Sequence, residues 1–156
     1  DLAIEAFAVD HVVPTLGFHL HRTRRRLAPA YQGLSPAELI ELRERGVDTS
    51  ESVEELWLSY CADTGPRVFD LEPRLFESRV LMLECTFLGE EHRDKGERFK
   101  HLHLEDIAAR AGEMRNQALV LHHLSRRHKV ADLRAAVESR MPELAPRVHF
   151  LVEGEA

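Results

Sequence analysis

A short apolar run that ends in two histidines constrains the fold of this chain more than any other stretch. Residues 118–121 read Ala-Leu-Val-Leu, which is typical of a strand buried on both faces of a sheet. His122 and His123 end the run, and α/β proteins bind ligands where buried strands meet loops. Because neighbouring residues of an extended chain point to opposite faces, at most one of these histidines serves a given site. The alternative is a pair of partly buried histidines without a chemical role.

The same order of apolar run, polar strand end and helix recurs along the chain, which predicts an α/β sandwich. The predicted strands span residues 3–9, 15–21, 56–62, 79–87 and 148–152, in addition to the run described above. The predicted helices span residues 35–46, 104–114 and 131–140, with one or two further turns within 70–77. Residues 47–55 and 88–100 are polar and are predicted to be loops. The first two strands are expected to pair antiparallel across a tight connection.

Composition narrows the class of protein. With 156 residues the chain is long enough for one domain with a real core. A net charge of −6 excludes a globally basic nucleic-acid binder, although local basic patches remain at Arg22 and residues 24–26 and at residues 126–129. No apolar run approaches the ~20 residues of a membrane span, and no signal peptide opens the chain. Cys61 and Cys85 are expected to be reduced core residues of a cytosolic protein.

The residues with chemical potential fall at or just beyond the predicted strand ends. They are His11, Asp63, Glu84 and His123, together with His101, which opens a helix. Strand ends on the same side of a sheet converge, and histidine with aspartate is the ligand set of a catalytic Zn²⁺ site. His19 and His21 are two residues apart on a strand and offer a second chelating pair, but the arginines that follow favour half-exposed sheet surface.

Five segments resemble ribonuclease Z in the order in which that family carries them. Residues 10–18, Asp-His-Val-Val-Pro-Thr-Leu-Gly-Phe, resemble the segment in which a metal-ligand histidine is followed by Gly-Tyr or Gly-Phe. Residues 61–64, Cys-Ala-Asp-Thr, are similar to its Gly-Asp-Thr, and residues 83–87, Leu-Glu-Cys-Thr-Phe, to its His-Glu-Ala-Thr-Phe. His101 opens the segment similar to its His-Ser-Thr, and residues 120–128 resemble Leu-Thr-His-Phe-Ser-Ala-Arg-Tyr, which selects His123 over His122.

The resemblance implies a metallo-β-lactamase fold, a four-layer αββα sandwich in which residues 1–156 form the C-terminal half of a single domain. The family's His-x-His-x-Asp-His motif is absent from this sequence and would precede Asp1. On the missing half we expect a second central sheet. The face carrying Trp57, Leu58, Leu81, Leu83 and Leu119 is expected to lose much of its partner without it.

Roles for individual residues follow from the resemblance. His11 and His123 would each ligate one of two zinc ions and Asp63 would bridge them, with Mn²⁺ or Mg²⁺ as alternatives. His101 would be the general acid, oriented by Glu84, whose alternative role is that of a satisfied buried carboxylate. Substrate contacts would come from Ser125, Arg126 and Arg127, unless these simply form a solvated face. His103 and His122 are expected to be structural.

The activity implied is that of a zinc-dependent endoribonuclease that processes the 3′ end of precursor tRNA. The resemblance implies a homodimer, and the two cysteines, read as reduced core residues, indicate a cytoplasmic protein. One alternative is a hydrolase of the same fold that acts on a small substrate, such as a cyclic nucleotide or an ester. Another is a non-catalytic half-domain that acts as a scaffold. Two departures bear on the tRNA assignment: Leu102 and His103 replace Ser-Thr, and no Gly/Pro-rich arm lies between His11 and Asp63.

Overall fold

The computed structural model describes residues 1–89, 92–125 and 127–152. Within them, strands form one mixed sheet in the order β1-β2-β3-β4-β5-β6. The strands are β1 (Leu2–Ala8), β2 (Leu16–Leu27), β3 (Ser50–Tyr60), β4 (Val80–Glu84), β5 (Ala118–His122) and β6 (Val148–Phe150). The α-helices are α1 (Pro36–Glu44), α2 (Val68–Leu71), α3 (Arg93–Phe99), α4 (Leu104–Ala109) and α5 (Val130–Arg140). Short 3-10 turns span Pro29–Tyr31, Pro73–Phe76, Ala111–Glu113 and Ala145–Arg147.

The direction of the strands brings the polar strand ends together. β1, β2 and β3 pair antiparallel, whereas β3, β4, β5 and β6 are parallel. Parallel neighbours need crossover connections, and the segments between these strands contain helices. The carboxyl ends of β3, β4 and β5 therefore lie at one edge of the sheet. The β1–β2 connection reaches the same edge, because Phe18 near the start of β2 pairs with Tyr60 at the end of β3.

One face of the sheet is covered by the helices and holds the core. Leu81 and Leu83 of β4 and Leu119 and Leu121 of β5 are buried on it. The helices contribute buried apolar side chains against them, namely Val68, Phe69, Leu104, Ile107, Leu133 and Val137. The α/β class predicted from the sequence is therefore confirmed.

The opposite face of the sheet is apolar but exposed or half-exposed. On β1 and β2 it carries Leu2, Ile4, Leu16 and Phe18, which keep 40–72% of their surface in contact with solvent. Register continues this face through half-buried residues, namely Leu20, Leu58, Tyr60, Val80, Met82, Ala118 and Val120. We call this set the open face.

The expected composition of that face was wrong in part. Leu58 lies on the open face, but Leu81, Leu83 and Leu119 are buried on the helical side. Alternation with Leu58 does not decide the face of Trp57, because the register of β2 and β3 shifts beside it; the Trp57 ring lies 5.1 Å from the guanidinium carbon of Arg22. β4 and β5 are each apolar on both faces, so the sequence does not distinguish Leu81, Leu83 and Leu119, which point to the helices, from Val80, Met82 and Ala118, which lie on the open face.

A two-stranded arm projects from the sheet. It comprises residues 22–55, with the outer parts of β2 and β3 joined through α1, which has no buried residue. Ser35 and Glu38 form a capping box at the start of α1, and Gly46, two residues after its end, has a positive φ of 78°. The predicted loop at 47–55 was wrong, because Ser50–Glu55 pairs with Arg22–Leu27. This pairing is stabilised by ion pairs rather than by burial, which leaves no apolar alternation in the sequence.

The arginines of the arm face carboxylates across the strands. Arg22 and Arg24 lie near Glu55, Arg26 contacts Glu51, and Arg25 contacts Asp48. The local basic patch considered for this segment is therefore largely neutralised.

Two further predictions were wrong. Residues 88–100 are not all loop, because Arg93–Phe99 forms α3, in which the only buried residue is Gly96. His19 is not half-exposed surface: it is fully buried, stacks on Phe7 and hydrogen-bonds to the Ser59 hydroxyl at 2.8 Å.

Among the described residues, no helix has the length and apolar character that crossing a membrane requires.

Candidate metal centre

Five side chains converge at the edge formed by the ends of the parallel strands. Donor atoms of His11, Asp63 and His101 lie within 4.8 Å of one another, and so do those of Glu84, His101 and His123. Nδ1 of His123 is 3.4 Å from the Asp63 carboxylate, which links the two groups. The four candidate residues predicted at strand ends and His101, predicted to open a helix, are thus brought together in one cluster.

Glu84 is the buried centre of this cluster. Its carboxylate is fully buried and accepts hydrogen bonds from the backbone N–H groups of Thr64 and Thr86, both at 3.0 Å. It also accepts from the Thr86 hydroxyl at 2.9 Å and from Nδ1 of His101 at 2.8 Å. A buried carboxylate is costly unless it is satisfied in this way. Glu84 therefore holds the loops in place as well as orienting His101.

The hydrogen bond to Glu84 sets the protonation of His101. It raises the pKa of His101 above its ordinary value, partial burial opposes the rise, and the charges of Glu84 and Asp63 add to it. Because Nδ1 is engaged with Glu84, Nε2 is the atom through which His101 can exchange a proton.

Thr86 and the backbone of His123 orient the second histidine. The Thr86 hydroxyl, which donates to Glu84, lies 2.9 Å from Nδ1 of His123 and accepts a hydrogen bond from it. This arrangement leaves the lone pair of Nε2 for a ligand. His123 has a positive φ of 54°, a left-handed conformation that is uncommon for a residue with a side chain. It redirects the chain immediately after β5.

The donor set fits a divalent cation. Nε2 of His11 is buried and has no hydrogen-bond partner among the described residues, which is costly unless a ligand satisfies it. Imidazole nitrogens and carboxylate oxygens are the donors that Zn²⁺ takes in catalytic sites. His11, Asp63 and His123 could therefore hold a cation, and His101 is within reach of the same cluster.

The two histidines expected to be structural lie outside the cluster. His122 is buried, stacks on Tyr60 and donates from Nε2 to the Cys61 carbonyl at 2.9 Å; burial lowers its pKa. His103 is buried and stacks on Phe87.

A cleft of about 270 Å³ adjoins the cluster at Thr86. Its polar lining comprises Thr86, His92, Lys95, Ser125, Arg127 and His128. Ser125 and Arg127, two of the expected substrate contacts, thus share one cleft beside the candidate metal centre. The third, Arg126, lies outside the described residues.

Known proteins are similar to this chain in sequence and in fold. No protein-family model matches the chain. The chain is 32% identical over 161 residues to tRNase Z TRZ1 of Arabidopsis thaliana, a match that covers 99% of the chain and 56% of that protein. It is 29% identical over 163 residues to a ribonuclease Z of Kineococcus radiotolerans, with coverages of 94% and 51%. The chain is similar to ribonuclease Z over nearly its whole length.

The fold of this ribonuclease Z-like chain agrees with a solved structure. The metallo-β-lactamase-fold protein YhfI of Bacillus subtilis superposes with a TM-score of 0.61 at 15% identity, covering 99% of the chain and 48% of that protein. At this identity the likeness shows the fold alone, and the fold is that of the metallo-β-lactamases. The ribonuclease Z-like chain spans about half the length of the curated relatives it matches.

Sequence reasoning missed three residues that organise the cluster of the ribonuclease Z-like chain. Thr86 contacts Glu84 and His123, and Asp10 and Lys100 form an ion pair between the loops that carry His11 and His101. Thr86 lies inside a motif that was already singled out, and its position two residues after Glu84 was an available signal. Asp10 and Lys100 are 90 residues apart and gave none.

Proposed function

We propose that the protein containing this chain is a metal-dependent endoribonuclease that processes the 3′ end of precursor tRNA. The observation that carries the proposal is the convergence of His11, Asp63, Glu84, His101 and His123 in a chain similar to proteins named tRNase Z. The metal ligands we propose are His11, Asp63 and His123, and the metal is zinc. When bound, divalent cations neutralise phosphate charge and lower the pKa of water towards ~7.

Proton transfer is the part of the reaction that this chain's own residues explain. We assign His101 as the general acid that donates a proton from Nε2 to the leaving oxygen. Glu84 fixes the tautomer by accepting from Nδ1 at 2.8 Å, and it keeps His101 protonated to higher pH by raising its pKa. An acid of this kind contributes roughly 10²–10⁴-fold to a rate.

The cleft next to Thr86 is the proposed route of the RNA backbone. A phosphodiester held at the metal centre continues on one side past Thr86, where Ser125, Arg127 and Lys95 line the cleft. Guanidinium groups bind phosphate oxygens bidentately and ammonium groups bind them as point charges. The ion pairs of the arm favour this cleft over the arm's arginines as the place where the described residues meet phosphate.

We also propose that residues 1–156 are the C-terminal half of one metallo-β-lactamase domain. The support is the apolar open face, together with relatives about twice as long as the chain. Packing a second sheet onto the open face would complete the αββα sandwich.

The test uses the intact protein with a precursor tRNA that carries a 3′ extension. We expect cleavage at the 3′ end, its loss when a chelator removes the metal, and its return when Zn²⁺ is added. His123→Ala should abolish cleavage, whereas His149→Ala, which alters an exposed histidine on β6, should leave it unchanged. Hydrolysis of small phosphodiesters without cleavage of precursor tRNA would overturn the RNA assignment and support the small-substrate hydrolase.

A further inference from the structure

One ion pair joins two loops that each carry a candidate site histidine. Nζ of Lys100 lies 2.5 Å from Oδ1 of Asp10, and these residues immediately precede His101 and His11. The Asp10 side chain is only 8% exposed, whereas that of Lys100 is 36% exposed. The carboxylate is thus largely removed from water and depends on its partner, unlike a carboxylate in a surface ion pair.

The Asp10 loop is also tied to the loop that carries Asp63. The backbone N–H of Asp10 donates to the Thr64 hydroxyl at 3.1 Å, and its carbonyl accepts from the Gly65 N–H at 2.7 Å. A Cβ on Gly65 would lie 3.0 Å from Oδ2 of Asp10 and 3.3 Å from Cβ of Lys100. The three loops therefore approach so closely that a side chain at position 65 would crowd both Asp10 and Lys100.

Lys100 occupies its position at a conformational cost. Lys100 is the C-cap of α3 and its φ of 55° is left-handed, a conformation that is common at helix ends but unfavourable for a residue with a side chain. Glycine would adopt this conformation freely. Lysine at this position supplies an ammonium group that glycine would lack, and among the described residues that group contacts Asp10.

We propose that Asp10 and Lys100 are a positioning pair that fixes the loop of His11 against the loops of Asp63 and His101, and so sets the affinity with which the ligands His11 and Asp63 bind the metal. The ring centroids of His11 and His101 are 5.4 Å apart, and with Asp63 these histidines form one of the two donor groups. Neither Asp10 nor Lys100 needs to touch the metal or the substrate. The proposal rests on the proposed function only in that it takes the cluster to bind a divalent cation.

The test measures zinc affinity directly, without reference to hydrolysis. The intact protein is stripped of metal and titrated with Zn²⁺ in competition with a chromophoric chelator. Lys100→Met and Asp10→Asn should each weaken zinc binding by about 10-fold or more, the range found when groups that orient metal ligands are removed. The double variant should bind zinc no more weakly than either single variant, because both changes remove the same contact.

Two further variants separate positioning from simple stabilisation. Lys100→Gly relieves the backbone strain but removes the ammonium group, so it should weaken zinc binding as Lys100→Met does. Arg140→Met is the matched control, because Arg140 is also 36% exposed and pairs with Glu105 away from the cluster. It should leave zinc affinity unchanged, whatever its effect on the melting temperature. In activity assays, we expect Lys100→Met to lower kcat with little change in KM.

Zinc affinities of Lys100→Met and Asp10→Asn equal to that of the unaltered protein would overturn the pairing proposal. Additive losses in the double variant would also overturn it. Altered zinc affinity in a protein that cleaves no phosphodiester would support the positioning pair and overturn the proposed function alone. An intact protein that binds no zinc would overturn both.

Discussion

At the scale of single residues, left-handed backbone marks the site. Lys100 and His123 are the described non-glycine residues with positive φ, and one precedes a candidate site histidine while the other is one. Such backbone conformations persist where surrounding contacts hold the residue in place, and they are frequent at functional sites. Lys100 is the C-cap of α3 and contacts the Asp10 carboxylate, and His123 contacts the Thr86 hydroxyl. The two residues with unfavourable backbone conformations thus lie at the candidate site.

Asp63 is the residue whose loss should separate activity from folding. Its side chain is 41% exposed, so few contacts of the fold depend on it, yet it lies between His11, His101 and His123. We expect Asp63→Ala to abolish hydrolysis of bis(p-nitrophenyl) phosphate by the intact protein while circular dichroism stays unchanged. Asp70→Ala, an exposed carboxylate on α2, is the control. An unimpaired rate in Asp63→Ala would remove Asp63 from the site.

His19 should make the stability of the fold sensitive to acid. Burial lowers its pKa below the ordinary value of 6.5, although Glu72, whose carboxylate lies 3.6 Å from Nε2, opposes this. As the pH falls below 6.5, unfolded chains bind a proton that the folded protein binds only at lower pH. The stabilisation from a neutral His19 is therefore complete above pH 6.5 and declines as the pH falls towards the lowered pKa.

We expect this decline to disappear in His19→Gln, which does not titrate. The variant is less stable at pH 8, because it loses the stack on Phe7, but its free energy of unfolding should fall less between pH 6.5 and pH 5. The difference in slope approaches ~1.4 kcal/mol per pH unit for one proton. Urea unfolding at several pH values measures it, with His149→Gln as the exposed control. Equal slopes in His19→Gln and the unaltered protein would contradict the assignment.

At the scale of elements, burial decides what could be read from the sequence. β4 and β5 are apolar runs packed under helices, and their ends at Glu84 and His122 were predictable to within a few residues. Helix α1 was predictable from its capping box alone. The outer part of β3 and helix α3 were missed, because charge pairs in one and a single buried glycine in the other leave no apolar period. Local sequence patterns reflect which side chains are buried, and these two elements bury few side chains.

The candidate site divides in the same way. Asp63, Glu84 and His123 stand next to apolar runs and His101 opens a helix, so strand-end reasoning and family resemblance together singled them out as candidates. The pairing of Asp10 with Lys100 depends on how α3 ends against a loop 90 residues earlier. No local pattern encodes such a contact.

Helix α1 should respond to its cap independently of the rest of the molecule. It has nine residues and buries none of them, and helices of this length are marginal without packing. Ser35→Ala removes a capping bond worth about 1 kcal/mol, so amide exchange within 36–44 should accelerate about five-fold while the melting temperature stays constant. Hydrogen exchange detected by mass spectrometry checks this, with exposed Ser52→Ala on β3 as the control. A large fall in melting temperature would show that α1 is coupled to the core.

At the scale of the whole molecule, the open face governs behaviour. Leu2, Ile4, Leu16 and Phe18 remain substantially exposed on it. Exposed apolar area costs roughly 25 cal/mol per Å² relative to burial, against a net stability of only ~5–15 kcal/mol for a typical domain. A layer that covers this face would therefore contribute strongly to the free energy of unfolding of the protein.

We predict that residues 1–156, purified without a companion, neither retain a stoichiometric metal pair nor hydrolyse phosphodiesters. Of the proposed ligands, His11, Asp63 and His123 are present, and a two-metal centre needs several more. Metal analysis of the purified chain and a phosphodiester assay give the result, with the intact protein measured in parallel. Two tightly bound zinc ions per chain with full activity would refute the prediction and the proposal that a second half completes the domain.

The burial of Glu84 has a consequence for the order in which the protein folds. Its carboxylate accepts hydrogen bonds from Thr64, Thr86 and His101. These donors come together only when three segments of the chain meet. The full set of hydrogen bonds to Glu84 forms only when all three segments are in place. A buried carboxylate that lacks some of these bonds is unfavourable, so partly folded forms of the cluster are destabilised. Such long-range closure is slow compared with helix formation. We therefore expect the cluster to appear in a single late kinetic phase, after the sheet has collapsed, so that newly made chains are compact before they are chemically competent.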